Sequence, residues 1–401
     1  MTDTQPDLYY DPYNFEIDTD PYPVWRRMRD EAPLYYNDKH DFYALSRFED
    51  VERCSVAWPT YISGKGSVLE MIKAGIEMPP GMILFEDPPE HDVHRGLLSR
   101  VFTPRKMMAI EPKVREFCAR SLDPLVGSGG FDFIADLGAQ MPMRTIGMLL
   151  GIPEEDQEAI RNRLDEGMHL DEEGVMPDRG DAGTVLATDG FADYLDWRVD
   201  HPSDDLMTML LNAEFEDESG KLRKLSRTEV LTYTQVLAGA GNETTGRLIG
   251  WLGKVLAEHP GQRRELVQDP TLIPNAVEET LRFEPTGPAL ARYVMRDVEY
   301  HGRTVPEGSA MLLLVASANR DGRRHEYPDR FDIHRKDLQH LTFGRGVHFC
   351  LGASLARLEA RVAIEEVLKR FPDWEVDHAN ARMAPTSATM RGWETMPVFL
   401  P

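Results

Sequence analysis

Cysteine is scarce in this chain: 401 residues contain only Cys54, Cys118 and Cys350. That is too few, and too scattered, for a disulfide framework or a cysteine-based zinc site, and it favours a reducing, cytoplasmic setting. Long apolar runs are missing as well. No stretch of about 18 apolar residues occurs, and the start, MTDTQPDLYYDPYNFEIDTD, lacks the basic residues and apolar core of a signal peptide, so no membrane partner is expected. Positive charge is in deficit, with 45 Lys and Arg against 68 Asp and Glu and a net charge of −23. This argues against nucleic acid as a partner and leaves any anionic partner to find a local basic patch. Repeats, coiled-coil heptads and low-complexity linkers are absent too.

What is present suits an ordinary globular protein, since 41% hydrophobic and 9% aromatic residues support a sizeable core. APLYYNDKHDFYALSRF predicts two short strands around a polar turn, and a second β-rich zone runs from Val294 to Val315, with a hairpin signal at His301 and Gly302. The clearest helix begins at Ser226, where SRTE forms a capping box with Glu229, and continues to about His259 before Pro260. The sharpest break, VGSGG at 126–130, is too short to separate domains. The expectation is therefore a mainly α chain with a smaller β-rich region, an α+β arrangement, forming one domain over 1–401 with its strands near 33–50 and 294–315.

Four local patterns carry chemistry. In TFGRGVHFCLGASLARLEAR (342–361) a lone cysteine lies in a glycine-rich loop that runs into an amphipathic helix. The N–H groups and dipole at that helix start favour a thiolate, which can be a nucleophile or a metal ligand. LAGAGNETTGR (237–247) places two glycines and two threonines inside the long helix, so Glu243 and Thr244 form an acid–hydroxyl pair suited to relaying protons. Equally, Glu243 could face solvent and Thr244 could bond back to the preceding turn. The sequence there is not a dinucleotide fingerprint, because no strand precedes it and Thr244 replaces the third glycine. In NAVEETLRFEP, Glu279 and Arg282 share a helical face and could be a surface ion pair or jointly hold a third group. In DPPEHDVHR, His91 and Arg95 at i and i+4 could together meet an anion or simply face water.

In order and spacing these patterns resemble the cytochrome P-450 family of haem-thiolate monooxygenases, and the resemblance extends over nearly the whole chain. It implies a roughly triangular prism with haem b between the long central helix and the cysteine-loop helix. Cys350 would be the axial ligand of the haem iron, its donor strength favouring O–O cleavage. Backbone N–H groups past it would hydrogen-bond the sulfur in a loop shaped by Gly346 and Gly352, beside Phe343. His91, Arg95, Arg292 and His348 would bind the propionates. Ala240 and Gly241 would give room at a kink of the long helix, while Glu243 and Thr244 manage protons during dioxygen activation. Glu279 and Arg282 would be structural. One departure is GRRHEYPDR, which lacks the proline after NRD and the Asp-Pro-Asp run common in bacterial members.

The substrate implied is a lipophilic small molecule such as a terpenoid, fatty acid or steroid. Its pocket would draw on Ile83, Leu84, Leu237, Ala289, Leu290, Met390 and Trp393, with Met71, Ile76, Met78 and Met168 nearby in the variable regions. No flavin, nicotinamide or iron–sulfur module is recognisable. Electrons would therefore come from a separate ferredoxin or flavodoxin-like donor with its NAD(P)H reductase, docking on Arg100, Arg105, Lys106, Arg345 and Arg357. A monomer is expected. The alternatives are a peroxide-dependent peroxygenase, against which Glu243 and Thr244 weigh, and a non-catalytic haem- or ligand-binding protein.

Overall fold

Ser226 caps the helix that organises the molecule. Its hydroxyl accepts from the Glu229 N–H at 3.2 Å, and a Glu229 carboxylate oxygen accepts from the Ser226 N–H at 2.6 Å, the reciprocal pair that fixes a helix start. In the computed structural model, which describes residues 8–75, 81–100, 102–168, 189–217, 219–384 and 390–401, this helix spans Arg227–Glu258 and is 32 residues long. At 1.5 Å per residue it is about 48 Å in length. It runs unbroken through the glycines at 239 and 241, where burial against neighbouring elements outweighs their weak propensity. It ends at His259, and Pro260 opens the next helix, Pro260–Gln268.

Around this axis pack the helices Met141–Leu150 and Ala353–Arg370 and the short π-helical segment Phe133–Gly138. The Ala353–Arg370 helix also lies along Pro104–Leu122. Its inner face, including Leu355, Val362, Ile364 and Val367, joins the main apolar core with Tyr233, Leu248 and Leu252 of the long helix. No helix among the described residues is long and apolar enough to cross a membrane.

The two β-rich zones of the sequence meet in one five-stranded sheet. Leu34–Asn37 pairs antiparallel with Phe42–Leu45, which runs parallel to Ala310–Leu313, itself antiparallel to Leu290–Val294; Tyr61–Ile62 closes the far edge. All four residues of Ala310–Leu313 are buried, as a central strand covered on both faces requires. The second zone thus begins at Leu290, four residues before the sequence pattern places it. The expected hairpin joins Val298–Tyr300 to Arg303–Val305, with His301 (φ 52°) and Gly302 (φ 74°) both left-handed, as a two-residue turn with the twist of its strands needs. Ile76 and Met78 lie outside the described residues, as does the side chain of Met168.

Candidate active site

The cysteine loop is held by its backbone. Gly344 and Gly346 have φ of 69° and 68°, and a Cβ on Gly346 would come within 3.2 Å of the Ser55 carbonyl oxygen, so a side chain there meets both strain and contact. The Cys350 N–H donates to the Phe343 carbonyl at 2.7 Å and closes the loop just before the helix Ala353–Arg370. Burial pushes the Cys350 thiol up. Hydrogen bonds from the Gly352 and Ala353 N–H groups and the charges of Arg95 and Arg357 pull it back down. The thiolate that the helix start favours is thus opposed by desolvation. Coordination to a metal would deprotonate the thiol outright and leave those two N–H groups as donors to sulfur.

Cys350 faces a cavity of about 270 Å³ between the loop and the long helix. His91, Arg95 and His348 line one side of it. The two imidazoles lie 4.4 Å apart between ring centroids, and the Nε2 atom of each is buried without a hydrogen-bond partner among the described residues. Burial, followed by the charges of Arg292, His91 and Arg95, pushes His348 down to about 3. His91 and Arg95 are lowered as well, chiefly by burial. Arg292 is buried on the strand Leu290–Val294, off the cavity wall but near enough to lower His348, and donates to the Ala291 carbonyl at 2.8 Å. One guanidinium and two neutral imidazoles with unpartnered Nε2 atoms, turned to one cavity, suit an anionic ligand. Beside a buried thiol they match what a haem demands, a sulfur for iron and a cation with hydrogen-bonding imidazoles for two carboxylates. Among the described residues no cluster of His, Cys, Asp and Glu could hold a metal ion by itself.

On the long helix, Leu237, Ala240, Gly241, Thr244 and Thr245 line the same cavity. The Thr244 hydroxyl donates to the Ala240 carbonyl at 2.8 Å, the local back-bond open to a threonine inside a helix. Glu243 points elsewhere. One residue along an α-helix is a turn of about 100°, and Glu243 lines a second cavity of about 250 Å³ with Arg161, Gly246, Arg247 and Trp393. There it pairs with Arg247, whose Nε donates to Oε1 at 2.9 Å, while Oε2 is buried without a hydrogen bond among the described residues. The acid and the hydroxyl therefore face different cavities.

Of the pocket residues named from sequence, Ile83, Leu84, Leu237 and Leu290 line the cavity. Trp393 lies on the second cavity, Ala289 is buried in the core beneath the sheet, and Met390 and Met71 are not on the cavity wall. Sequence reasoning missed Phe102, Ile146 and Glu359 on that wall. Glu359 is 1% exposed and burial pushes its carboxyl up to about 8. An acid four residues after Leu355 on an apolar helix face was the available signal.

Glu279 and Arg282 are both completely buried, with guanidinium-to-carboxylate bonds of 2.7 and 2.8 Å. Arg335, also missed, adds bonds of 3.1 Å to both carboxylate oxygens. The Asp332 N–H donates to the same carboxylate, and Arg282 reaches the Asn319, Pro328 and Arg330 carbonyls. The last two belong to the loop with the unusual GRRHEYPDR sequence. Arg100, Arg105 and Lys106 are exposed, whereas Arg345 pairs with Glu52 and Arg357 with Glu278.

A family model described as cytochrome P450 matches residues 192–390. The chain is 37% identical over 397 residues to a putative cytochrome P450 123 of Mycobacterium tuberculosis, covering 98% of this chain and 97% of that one. Among solved structures it resembles P450BioI in complex with an acyl carrier protein ligated to hexadec-9Z-enoic acid. That match has a TM-score of 0.85 and 30% identity and covers 96% of this chain and 100% of the other. It also resembles CYP109E1 from Bacillus megaterium in complex with testosterone, at TM-score 0.81 and 27% identity over 95% and 99% of the two chains.

Proposed function

The chain belongs to the cytochrome P450 family, a haem b-dependent oxidoreductase fold, and on that premise we propose that it hydroxylates a lipophilic small molecule with electrons from a separate acidic donor protein. The observation that carries this reading is one cavity that joins a buried thiol, the Arg95 guanidinium and two unpartnered imidazole nitrogens to the apolar side chains of Ile83, Leu84, Leu237 and Leu290. P450BioI holds a fatty acyl chain and CYP109E1 a steroid, both largely apolar ligands, which supports the substrate class.

When bound, haem b supplies the iron chemistry by which dioxygen is reduced and one of its atoms inserted into substrate. The residues of this chain position and protect that chemistry. Cys350 would hold the iron, with the Gly352 and Ala353 N–H groups fixing the sulfur. Arg95 and Arg292 would offset the charge of the propionates, and His91 and His348 would hydrogen-bond them. Thr244 holds a proton on Oγ1 at the cavity, now directed at the Ala240 carbonyl, and rotation of its side chain presents that proton to a reacting group. The apolar wall keeps bulk water out, so protons pass through chosen groups.

Turnover of palmitoleic acid and testosterone under isotope-labelled dioxygen tests the proposal. At least one product should carry one labelled oxygen atom, and product without label would contradict it. With the better of these substrates, Thr244→Ala should still bind haem and substrate but lower product per electron by about tenfold, with peroxide making up the difference. Unchanged coupling would remove Thr244 from proton delivery.

The donor should meet the exposed Arg105 and Lys106 at the start of the Pro104–Leu122 helix, which packs on the cysteine-loop helix. Reversing both to Glu should slow reduction by an acidic ferredoxin about tenfold at low salt, and the difference should shrink as salt screens the charges. Substrate affinity should not change. Reduction rates insensitive to the reversal and to salt would place docking on another surface.

A further inference from the structure

Glu86 is a buried acid outside the machinery described so far, and it connects two parts of the site. Its Oε1 accepts from the Gly81 N–H at 2.9 Å and its Oε2 lies 2.8 Å from His94 Nδ1. Both partners of the Glu86–His94 pair are about nine-tenths buried. The first contact closes residues 81–86 into a loop that carries Ile83 and Leu84, two side chains of the apolar cavity wall. The second fastens that loop to the helix Glu90–Ser99, from which His91 and Arg95 reach the same cavity. His94 is itself fixed, with its ring edge-on to Tyr233 of the long helix at 5.7 Å and to Phe215 at 6.0 Å. Gly81 lies against the long helix, since a Cβ there would be 3.6 Å from Glu229 Cα and Thr232. The Glu86 backbone carbonyl faces His348.

We propose that Glu86 is a positioning residue that latches the Ile83–Leu84 wall onto the cation-bearing helix through His94 and thereby sets the affinity of the cavity for apolar ligands. The inference rests on the reading of that cavity as the substrate site. The wall itself is a single turn, with Ile83 buried and Leu84 47% accessible to solvent. A one-turn segment of this kind gains little from its own backbone bonds, so the buried charge-assisted contact adds to the burial of Met82 and Ile83 in holding it in place. Ordering the wall before the ligand arrives removes that cost from binding.

Two imidazoles separate the latch from the cradle. Imidazole alone reaches only the iron of the holoenzyme, whereas 1-dodecylimidazole adds an alkyl chain that must lie against the apolar wall; both are followed by optical titration. Glu86→Ala should weaken 1-dodecylimidazole about tenfold, the scale of one charge-assisted contact, and leave imidazole unchanged. Amide exchange over residues 81–85 of the same holoenzyme should quicken. Glu86→Gln, whose amide can still accept from Gly81 and donate to His94, should restore both readouts to near native, which a merely destabilising substitution would not do.

Native affinity together with native exchange in Glu86→Ala would overturn the latch, as would equal weakening of both ligands, which would report the cradle rather than the wall. If Glu86→Ala does not load haem, the double variant Glu86→Ala, His94→Leu strands neither partner and carries the same prediction. Native protein that binds 1-dodecylimidazole no tighter than imidazole would instead contradict the apolar substrate site. The exchange measurement would still decide the latch.

Discussion

Glu279→Ala is expected to give protein that folds poorly and retains little haem. The substitution removes a carboxylate that is fully buried and accepts from Arg282, Arg335 and the Asp332 N–H. Arg282 would keep its carbonyl partners but lose its only bonded anion among the described residues, and the positive charge would remain in the interior. Breaking a buried pair from one side costs about 3–5 kcal/mol, against a total stability of about 5–15 kcal/mol for a domain. The loss also reaches the haem side, because Arg282 holds the Asn319 carbonyl. The Asn319 side chain in turn donates to Thr342 and accepts from the Leu341 N–H at the start of the cysteine loop. Thermal unfolding and the ratio of haem to protein measure the effect. A melting temperature and haem content equal to native would show that the pair is no more than a surface-type ion pair.

Cys350→Ala should abolish turnover, with the cavity walls and cationic cradle left in place. Among the described residues the thiol is the one sulfur on the cavity, and its loop is built to present it: two left-handed glycines, a 2.7 Å closure onto the Phe343 carbonyl and two N–H groups directed at sulfur. Without the thiolate the cofactor would lose the donor that promotes O–O cleavage. Cys54 and Cys118 are buried in apolar clusters, and burial pushes both thiols well above their ordinary range. Cys54→Ala and Cys118→Ala should therefore keep activity at the modest stability cost of a small cavity. Loss of turnover in either of these, with activity retained in Cys350→Ala, would reassign the ligand.

Local signals made much of this legible from sequence. Ser226 and Glu229 announce the long helix because both halves of a capping box lie within four residues, and His301–Gly302 announces a hairpin because only certain residues tolerate its left-handed turn. The cysteine loop is similarly self-contained, so Cys350 stood out locally, while the resemblance to the family added Phe343 and His348. Direction around a helix was harder to read. Glu243 and Thr244 are neighbours in sequence, yet the pitch of the helix sends one to Arg247 and the other to the cavity. Contacts between distant segments left no local trace at all: Arg335 joins Glu279 across 56 positions, and Glu86 meets His94 only because the chain folds back between them. Trp393 shows the limit from the other side. Its apolar character suits a pocket wall, but the strand Trp393–Thr395 directs it to the second cavity and towards Trp251.

The carbonyl complex of the reduced holoenzyme tests the thiolate-bound haem most directly. Native protein should give the strongly red-shifted absorption band that a thiolate opposite carbon monoxide produces. Cys350→His should lose that band while still binding haem, and Cys54→Ala and Cys118→Ala should keep it. An unshifted band in native protein, or an unchanged red-shifted band in Cys350→His, would contradict the assignment of Cys350 as the iron ligand.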